Sequence, residues 1–174
     1  AGLAAFATTL GADRAALLAA AGLAPGDLDD RDARIPLARY QALIQAAETA
    51  CNEPALALLY GEAVDMPEIS LVGLIMTAAE TMGDAFAQMQ RFGTLAVELA
   101  MPPGQPRFTL AQRGAELWMV DNRPDPDAFP QLSESAFARL VCGPRRFLAQ
   151  PHVLEVCFTH PAPASTAQHA RVFQ

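Results

Sequence analysis

The sequence predicts an α+β fold, in which an N-terminal helical region packs against a small antiparallel β-sheet with an intervening helix. Apolar residues recur at helical spacing through the first hundred positions, and the pattern changes to alternation after Pro102–Pro103. A helical pattern then returns and is followed by a last alternating stretch. Helices and strands that are segregated along a chain in this way are typical of α+β domains.

Three helices are predicted before residue 65. The first covers residues 13–21, where Asp13 can cap the start and Gly22 can end the helix in a left-handed conformation. An acidic loop follows. Pro36 can then open a second helix over residues 37–51, since proline suits the first helical position. Asn52 ends this helix, and Pro54 begins the third.

Residues 71–92 predict a helical hairpin with a break at Glu80–Thr81. Ser70 can cap a first helix over residues 71–79. Thr81 starts the second helix and is followed three residues later by Asp84, the spacing of a capping box. Apolar residues at positions 82, 85, 86, 89, 92 and 96 form a stripe along this second helix.

The second half of the chain predicts three strands and two helices. Residues 106–123 alternate in two runs around a turn at Arg113–Gly114, which indicates a pair of antiparallel strands. Residues 131–149 predict a helix with a kink or break at Gly143–Pro144. Residues 152–160 predict a third strand with Leu154, Val156 and Phe158 facing inward. A last helix is predicted from residue 166.

Length and composition indicate one globular domain. The chain has 174 residues, of which 52% are hydrophobic and 18% charged. Its three cysteines are too few and too widely spaced for a disulfide framework, which favours reduced thiols and a cytoplasmic protein. No apolar run approaches the ~20 residues that cross a bilayer, and no basic leader precedes an apolar stretch, so we expect no membrane association.

The charge pattern argues against DNA binding by this chain alone. The net charge is −7, and the tightest group of basic residues is Arg145–Arg146. Binding to duplex DNA needs clustered cations that neutralise phosphates. Residues 13–30 have the spacing of a helix-turn-helix, but the segment in the recognition position is acidic and rich in turn residues, so it would repel DNA.

Patterns of catalytic residues are missing from the sequence. There is no Gly-x-Ser-x-Gly elbow and no glycine-rich phosphate loop, and helix capping explains Ser133 and Ser135. Cys157 and His160, with His152 nearby, suggest a metal, but positions three apart on a strand point to opposite faces. We predict no enzyme and no cofactor. A small α+β enzyme with an unrecognised site and a haem- or metal-binding sensor remain the alternatives.

Aromatic residues and one arginine are the remaining binding candidates. Trp118, Tyr60 and Arg91, together with Tyr40, Phe86 and Phe92, can line an apolar cavity that lies between the helices and the hairpin. Ligand pockets are mostly apolar with a few placed polar groups, and arginine pairs well with acidic ligands. Phe86 and Phe92 also suit an ordinary core. We therefore predict Tyr60, Arg91 and Trp118 as ligand-binding residues.

Four segments in order resemble a known family. They are LLAAAGLAPGDLDDRDARIP, PALALLYGEAV, LVGLIMTAAETMGDAFAQMQRFGTLAV, and CFTHPAPA followed by a helix that ends in VF. Their order and spacing resemble the N-terminal regulatory domain of AraC-type transcriptional regulators of the arabinose-binding-domain type, a group that includes ornithine-utilisation regulators. The resemblance covers almost the whole chain.

The resemblance implies a bacterial effector-sensing and dimerising domain over residues 1–174 that controls transcription in response to a small molecule. In the full protein, two helix-turn-helix units that bind promoter DNA would follow. We expect the chain to end before that module, so that contact with DNA belongs to a part outside these residues. The family name does not establish arabinose as the ligand, and no catalytic residue is carried over.

Overall fold

Nine α-helices and one β-hairpin make up the part of the chain that the structure, a computed structural model, describes: residues 1–30, 33–148 and 150–174. The α+β class is confirmed. The chain divides into two compact units, one of residues 1–64 with 129–174 and one of residues 65–128. The regular elements described in the first unit are all helices, and the hairpin belongs to the second unit.

The first unit begins with four helices, of which the sequence predicts the last three. Its first four helices are α1 (Gly2–Thr9), α2 (Arg14–Ala20), α3 (Leu37–Cys51) and α4 (Leu56–Ala63). The Asp13 carboxylate accepts a 2.7 Å hydrogen bond from the amide of Ala16. Gly22, with φ of +66°, and Asn52, with φ of +49°, end α2 and α3 in the left-handed conformation. The start of α4 lies two residues later than predicted. Arg31 and Asp32 of the acidic loop lie outside the described residues.

The core of the first unit is built on α4, α8 (Pro130–Arg145) and α9 (Ala167–Phe173). Leu58, Ala138 and Val172, one from each helix, are fully buried together. Gly61 of α4 faces α8 so closely that an added Cβ would lie 2.9 Å from the Cα of Ser135. The two helices therefore approach with almost no side chain between them.

The sequence predicts a kink or break at Gly143–Pro144; helix α8 continues through this pair and ends at Arg145, so a break there is wrong, whereas a kink stays a prediction. Proline has no N–H with which to bond the carbonyl oxygen four residues earlier, that of Leu140. The His152 ring nitrogen Nε2 lies 3.4 Å from this oxygen, so a side chain from outside the helix faces the orphaned carbonyl. The helix ends four residues earlier than the predicted residue 149.

The predicted third strand is also wrong. Residues 152–160 are irregular, and Leu154 is 90% exposed instead of facing inward. A strand needs a neighbour to complete its backbone hydrogen bonds, and the described part of this unit offers none. Phe158 does pack inward, with its ring 5.9 Å from that of Phe137 and 5.8 Å from that of Phe173.

The second unit contains three helices and the hairpin. The helices are α5 (Met66–Ile69), α6 (Leu71–Thr77) and α7 (Met82–Phe92), and a short 3₁₀ turn follows at Gly93–Leu95. Ser70 and Thr81 cap α6 and α7 as predicted, through hydrogen bonds of 3.1 Å from the amides of Gly73 and Asp84. The α6 helix ends at Thr77, two residues earlier than predicted.

The hairpin matches the sequence prediction. Strands β1 (Phe108–Arg113) and β2 (Glu116–Asp121) are antiparallel, with Ala111 opposite Trp118. Gly114 makes the turn with φ of +63°. At the open end, the Asp121 carboxylate bonds Arg107 at 3.1 Å and Arg123 at 3.3 Å. These ion pairs tie the hairpin's two ends together.

Few apolar side chains are fully buried in the second unit. Helix α7 carries the clear apolar stripe that its sequence predicts, yet Phe86 and Phe92 are only half-buried and Met82 is 48% exposed. On α6, Leu71 and Leu74 are 62% and 54% exposed. Burial of apolar surface is the main stabilising contribution in folding, so this contribution is smaller in the second unit than in the first.

Candidate functional site

Tyr60 lies on α4 inside the first unit and contacts both aromatic and cationic groups. Only 7% of the residue is exposed, and its ring lies 5.7 Å from that of Phe6. The Arg139 guanidinium, from α8, sits over the same ring at 5.4 Å from the centroid. Burial raises the pKa of the Tyr60 hydroxyl to about 12, so the hydroxyl is protonated at neutral pH and can donate a hydrogen bond.

Arg139 is a functional candidate that the sequence analysis missed. Its Nε atom is buried without a hydrogen-bond partner, and within the described residues the guanidinium forms no hydrogen bond or ion pair. Its terminal nitrogens, in contrast to Nε, are accessible to solvent. A half-buried cation without a counter-charge costs free energy, so proteins normally pair it. The sequence did contain a signal for this residue: Arg139 is the single arginine between the apolar positions predicted for this helix.

Tyr40 and Phe129 extend this surface. Their rings meet edge to face, with centroids 6.3 Å apart, and Tyr40 is close enough to Tyr60 to affect its titration. In the described part of the chain, neither tyrosine hydroxyl has a protein hydrogen-bond partner. We call these residues (Phe6, Tyr40, Tyr60, Phe129 and Arg139) the Tyr60–Arg139 cluster. It combines aromatic rings with unpaired hydrogen-bond donors.

The other two predicted binding residues lie in the second unit. Arg91, near the end of α7, is exposed, and its guanidinium lies 5.0 Å from the ring centroid of its neighbour Phe92. Trp118 on β2 is half-buried; its indole nitrogen donates a 3.0 Å hydrogen bond to the Glu116 carboxylate, and Arg113 lies over its ring. The shared role of Tyr60, Arg91 and Trp118 stays a prediction.

Glu48 of α3 is a second unusual polar group in the first unit. One carboxylate oxygen accepts a 3.2 Å hydrogen bond from the Gln131 amide, whereas the other is buried without a partner among the described residues. Burial, together with nearby Glu134, raises the pKa of Glu48 to about 7, although the Gln131 hydrogen bond acts in the opposite direction. Glu48 therefore exchanges its proton close to neutral pH.

Glu134 of α8 holds the C-terminal segment. Its side chain is 9% exposed, and one carboxylate oxygen lies 2.8 Å from Nε2 of His169 and 3.5 Å from Nε2 of His160. The ring of Phe158 contacts both imidazoles. A buried carboxylate of this kind needs such partners, so the arrangement fixes α9 and the preceding loop onto α8.

Cys157 and His160, weighed above as metal ligands, do not converge. Cys157 is exposed and its thiol faces the Glu155 carboxylate, whereas His160 faces Glu134. Within residues 1–30, 33–148 and 150–174, no group of three or more His, Cys, Asp or Glu side chains is arranged to hold a metal ion. The helices described for this chain include none with the length and apolar character needed to cross a membrane.

Comparison with known proteins decides the family. The family model described as "Arabinose-binding domain of AraC transcription regulator, N-term" matches residues 11–174. The chain belongs to this family. It is therefore an effector-binding regulatory domain of a transcription regulator, and the resemblance predicted from the order of four segments is confirmed.

One relative extends the comparison. An ornithine utilization regulator from Pseudomonas aeruginosa is 29% identical to this AraC-type domain over 167 residues. The aligned region covers 94% of the chain and 47% of that protein, so the chain spans about half the length of this relative. No solved structure matches the chain.

Proposed function

We propose that this domain binds a small molecule, forms a homodimer and thereby controls transcription through the DNA-binding part of an AraC-type regulator. The observation that carries the proposal is the Tyr60–Arg139 cluster, a set of unpaired donors among aromatic rings in a domain of this regulator family. With a net charge of −7, these residues are poorly suited to contact DNA, and we assign that contact to a part of the regulator outside them.

The proposed effector contacts are Tyr60, Arg91 and Trp118. Tyr60 is supported by its protonated, unpaired hydroxyl and by the guanidinium over its ring. Arg91 has no ion pair with any described residue, so its charge is available to a ligand. Trp118 offers a half-buried indole in the second unit. Each contact can be tested within its own unit.

The α6–α7 hairpin is the proposed switching element. A ligand shifts an equilibrium only when its affinity differs between the two arrangements of the protein. The hairpin breaks at Glu80–Thr81, α7 has no fully buried residue, and Leu71 and Leu74 of α6 are largely exposed. A weakly packed pair of helices is easier to rearrange than a close-packed core. The same exposed leucines support the proposed dimerisation.

We propose a bacterial cytoplasmic protein that is not an enzyme. The support is the family of transcription regulators, together with three cysteines that form no disulfide, Cys51, Cys142 and Cys157. Ornithine is the first effector to test, because the relative is an ornithine utilization regulator. No haem or metal is part of the proposal.

A thermal-shift screen of amino acids, polyamines, fatty acids and sugars tests the sensing function. A ligand at about 100 times its Kd adds roughly 2.7 kcal/mol to the stability of the folded state, which raises the melting temperature visibly. Trp118 is the one tryptophan in the sequence, so its fluorescence reports directly on the second unit. Tyr60→Phe tests the proposed contact in the first unit, and Arg91→Met and Trp118→Phe test those in the second; each variant of the unit that holds the hit should weaken its binding.

Two outcomes would contradict the proposed function. If no class of compound raises the melting temperature, the domain does not sense a small molecule of these kinds. If a hit is converted to a product by the purified domain, the protein is an enzyme and not a sensor.

Light scattering across a range of protein concentrations, with and without the hit, tests the homodimer. A monomer under both conditions would remove dimerisation from the proposal.

A further inference from the structure

We propose that the effector carries a carboxylate group, and that Arg139 and Tyr60 bind this group. The inference rests on the proposed sensing function and names the chemical class of its ligand. It depends on three features of the described first unit: an unpaired guanidinium over the Tyr60 ring, the unpaired hydroxyls of Tyr60 and its neighbour Tyr40, and the absence of an acid bonded to Arg139 on α3, α4 or α8.

The donors of Arg139 have the geometry that carboxylates require. A guanidinium presents its N–H groups as a planar fork that matches the two oxygens of a carboxylate. The guanidinium carbon lies over the Tyr60 ring at 5.4 Å from its centroid, and the terminal nitrogens are unpaired within the described residues. The contact with the ring restricts the side chain before a ligand arrives, which reduces the entropy lost on binding.

The hydroxyls favour an acceptor ligand. Those of Tyr60 and Tyr40 have no protein partner in the described part of the chain. Because the pKa of Tyr60 is raised to about 12, its hydroxyl stays a donor at neutral pH. Three donor groups from three neighbouring helices thus lack an acceptor among the described residues, and the rings of Phe6 and Phe129 next to the tyrosine rings offer apolar contact for a carbon skeleton.

Among the described residues, no acidic group pairs with Arg139. Helices α3, α4 and α8 carry one acidic residue each, and none of the three bonds Arg139. Glu48 accepts from Gln131, Glu62 forms a two-point ion pair with Arg171 at 2.6 and 2.7 Å, and Glu134 bonds His169. An external anion is therefore the partner that this cation lacks.

The test compares ligands that differ only in the carboxylate. Suitable pairs are L-ornithine with putrescine, hexanoate with hexanol, and glucuronate with glucose, each titrated into the 174-residue chain with the melting temperature and calorimetric Kd as readouts. The variants are Arg139→Met, which keeps the apolar stem, and Arg139→Lys, which keeps the charge but loses the planar fork. Arg14→Met is the matched control, because Arg14 lies on the exposed face of α2.

We expect the carboxylate member of at least one pair to bind and its neutral or cationic partner to bind at least tenfold more weakly. Arg139→Met should weaken the carboxylate at least tenfold, Arg139→Lys less, and Arg14→Met less than twofold. Without ligand, Arg139→Met should melt no lower than the wild type, because it removes an unpaired cation. A structural arginine would instead lower the melting temperature by several degrees.

Three results would overturn the inference. They are equal binding of both members of a pair, binding to Arg139→Met within twofold of wild type, and the failure of every carboxylate to bind. The first two leave the sensing function intact, because a ligand still binds. The third counts against sensing only if the polyamines, alcohols and sugars of the wider screen fail as well.

Discussion

Gly61 and Ala138 bring α4 and α8 into close contact, and their neighbours Tyr60 and Arg139 stack on each other. A Cβ at position 61 would lie 2.8 Å from that of Ala138, closer than two carbon atoms can approach. The helix pair can therefore be this close only with glycine at position 61. The contact between the Arg139 guanidinium and the Tyr60 ring depends on this spacing, because Tyr60 directly precedes Gly61 and Arg139 directly follows Ala138.

Gly61→Ala should destabilise the first unit by roughly 3 kcal/mol, because the added methyl group overlaps the backbone of α8 at Ser135 and forces the helices apart. Urea unfolding followed by circular dichroism measures the change. The control is Gly83→Ala in α7, where the Cβ would make ordinary contact at 3.7 Å; alanine there should be neutral or stabilise by about 0.5 kcal/mol. Equal effects of the two substitutions would contradict the close approach.

Glu48 should make stability depend on pH. Its pKa is raised from 4.5 to about 7, so the folded protein binds this proton more tightly than the unfolded chain. The contribution to stability is complete below pH 4.5 and is lost as the pH rises through about 7. Glu48→Gln should remove this dependence and, after solvent screening, be more stable on the order of 1 kcal/mol near neutral or slightly basic pH.

Urea titrations at several pH values between about 5 and 8 measure the slope for the wild type, Glu48→Gln and the control Glu68→Gln. Glu68 is an exposed residue of α5, so its variant should keep the wild-type slope. If Glu48→Gln keeps that slope too, the titrating group is a different one. The Gln131 hydrogen bond survives in Glu48→Gln, because an amide oxygen also accepts.

His169→Leu should cost roughly 2 kcal/mol, because the substitution leaves the buried Glu134 carboxylate without its 2.8 Å donor. Hydrogen exchange should show that α9 loses protection more than α1 or α2 does. Leu at both positions 134 and 169 should cost less than the sum of the single substitutions, since the double variant leaves no unpaired charge. Additive effects would mean that the two side chains do not interact.

Thr81→Val should weaken α7 by roughly 1 kcal/mol, because the Thr81 hydroxyl accepts the Asp84 amide at 3.1 Å and valine has no acceptor. Thr81→Ser keeps the hydroxyl and should stay close to wild type. If the α6–α7 hairpin is the switching element, Thr81→Val should also change the response to the effector. Unchanged thermal stability and unchanged response in Thr81→Val would remove the hairpin from the mechanism.

Elements that depend on neighbouring residues could be predicted from the sequence. Asp13, Ser70 and Thr81 cap the helices as expected, because a cap needs only an acceptor and an amide two or three residues away. The hairpin turn at Gly114 also follows from local conformational preference.

Elements that depend on distant partners could not be predicted. The alternation in residues 152–160 lacks a neighbouring strand among the described residues, and Phe158 packs inward while Leu154 is exposed. Helix α8 tolerates Pro144, whose place in the last turn breaks few backbone bonds, while His152 faces the freed carbonyl. Arg139 becomes a candidate only when the acids on α3, α4 and α8 are seen to bond residues other than Arg139.

Helix α8 connects Arg139 to the C-terminal segment. Arg139 lies near the middle of α8, and residues on both sides of it bond that segment: Glu134 bonds His169, and Arg145 donates to the carbonyl oxygens of Val172 and Gln174. Any tilt of α8 that accompanies the binding of an anion must therefore displace α9 as well. A fluorine or spin label on the exposed face of α9 would therefore register occupancy from a distance, without touching the residues that hold the ligand.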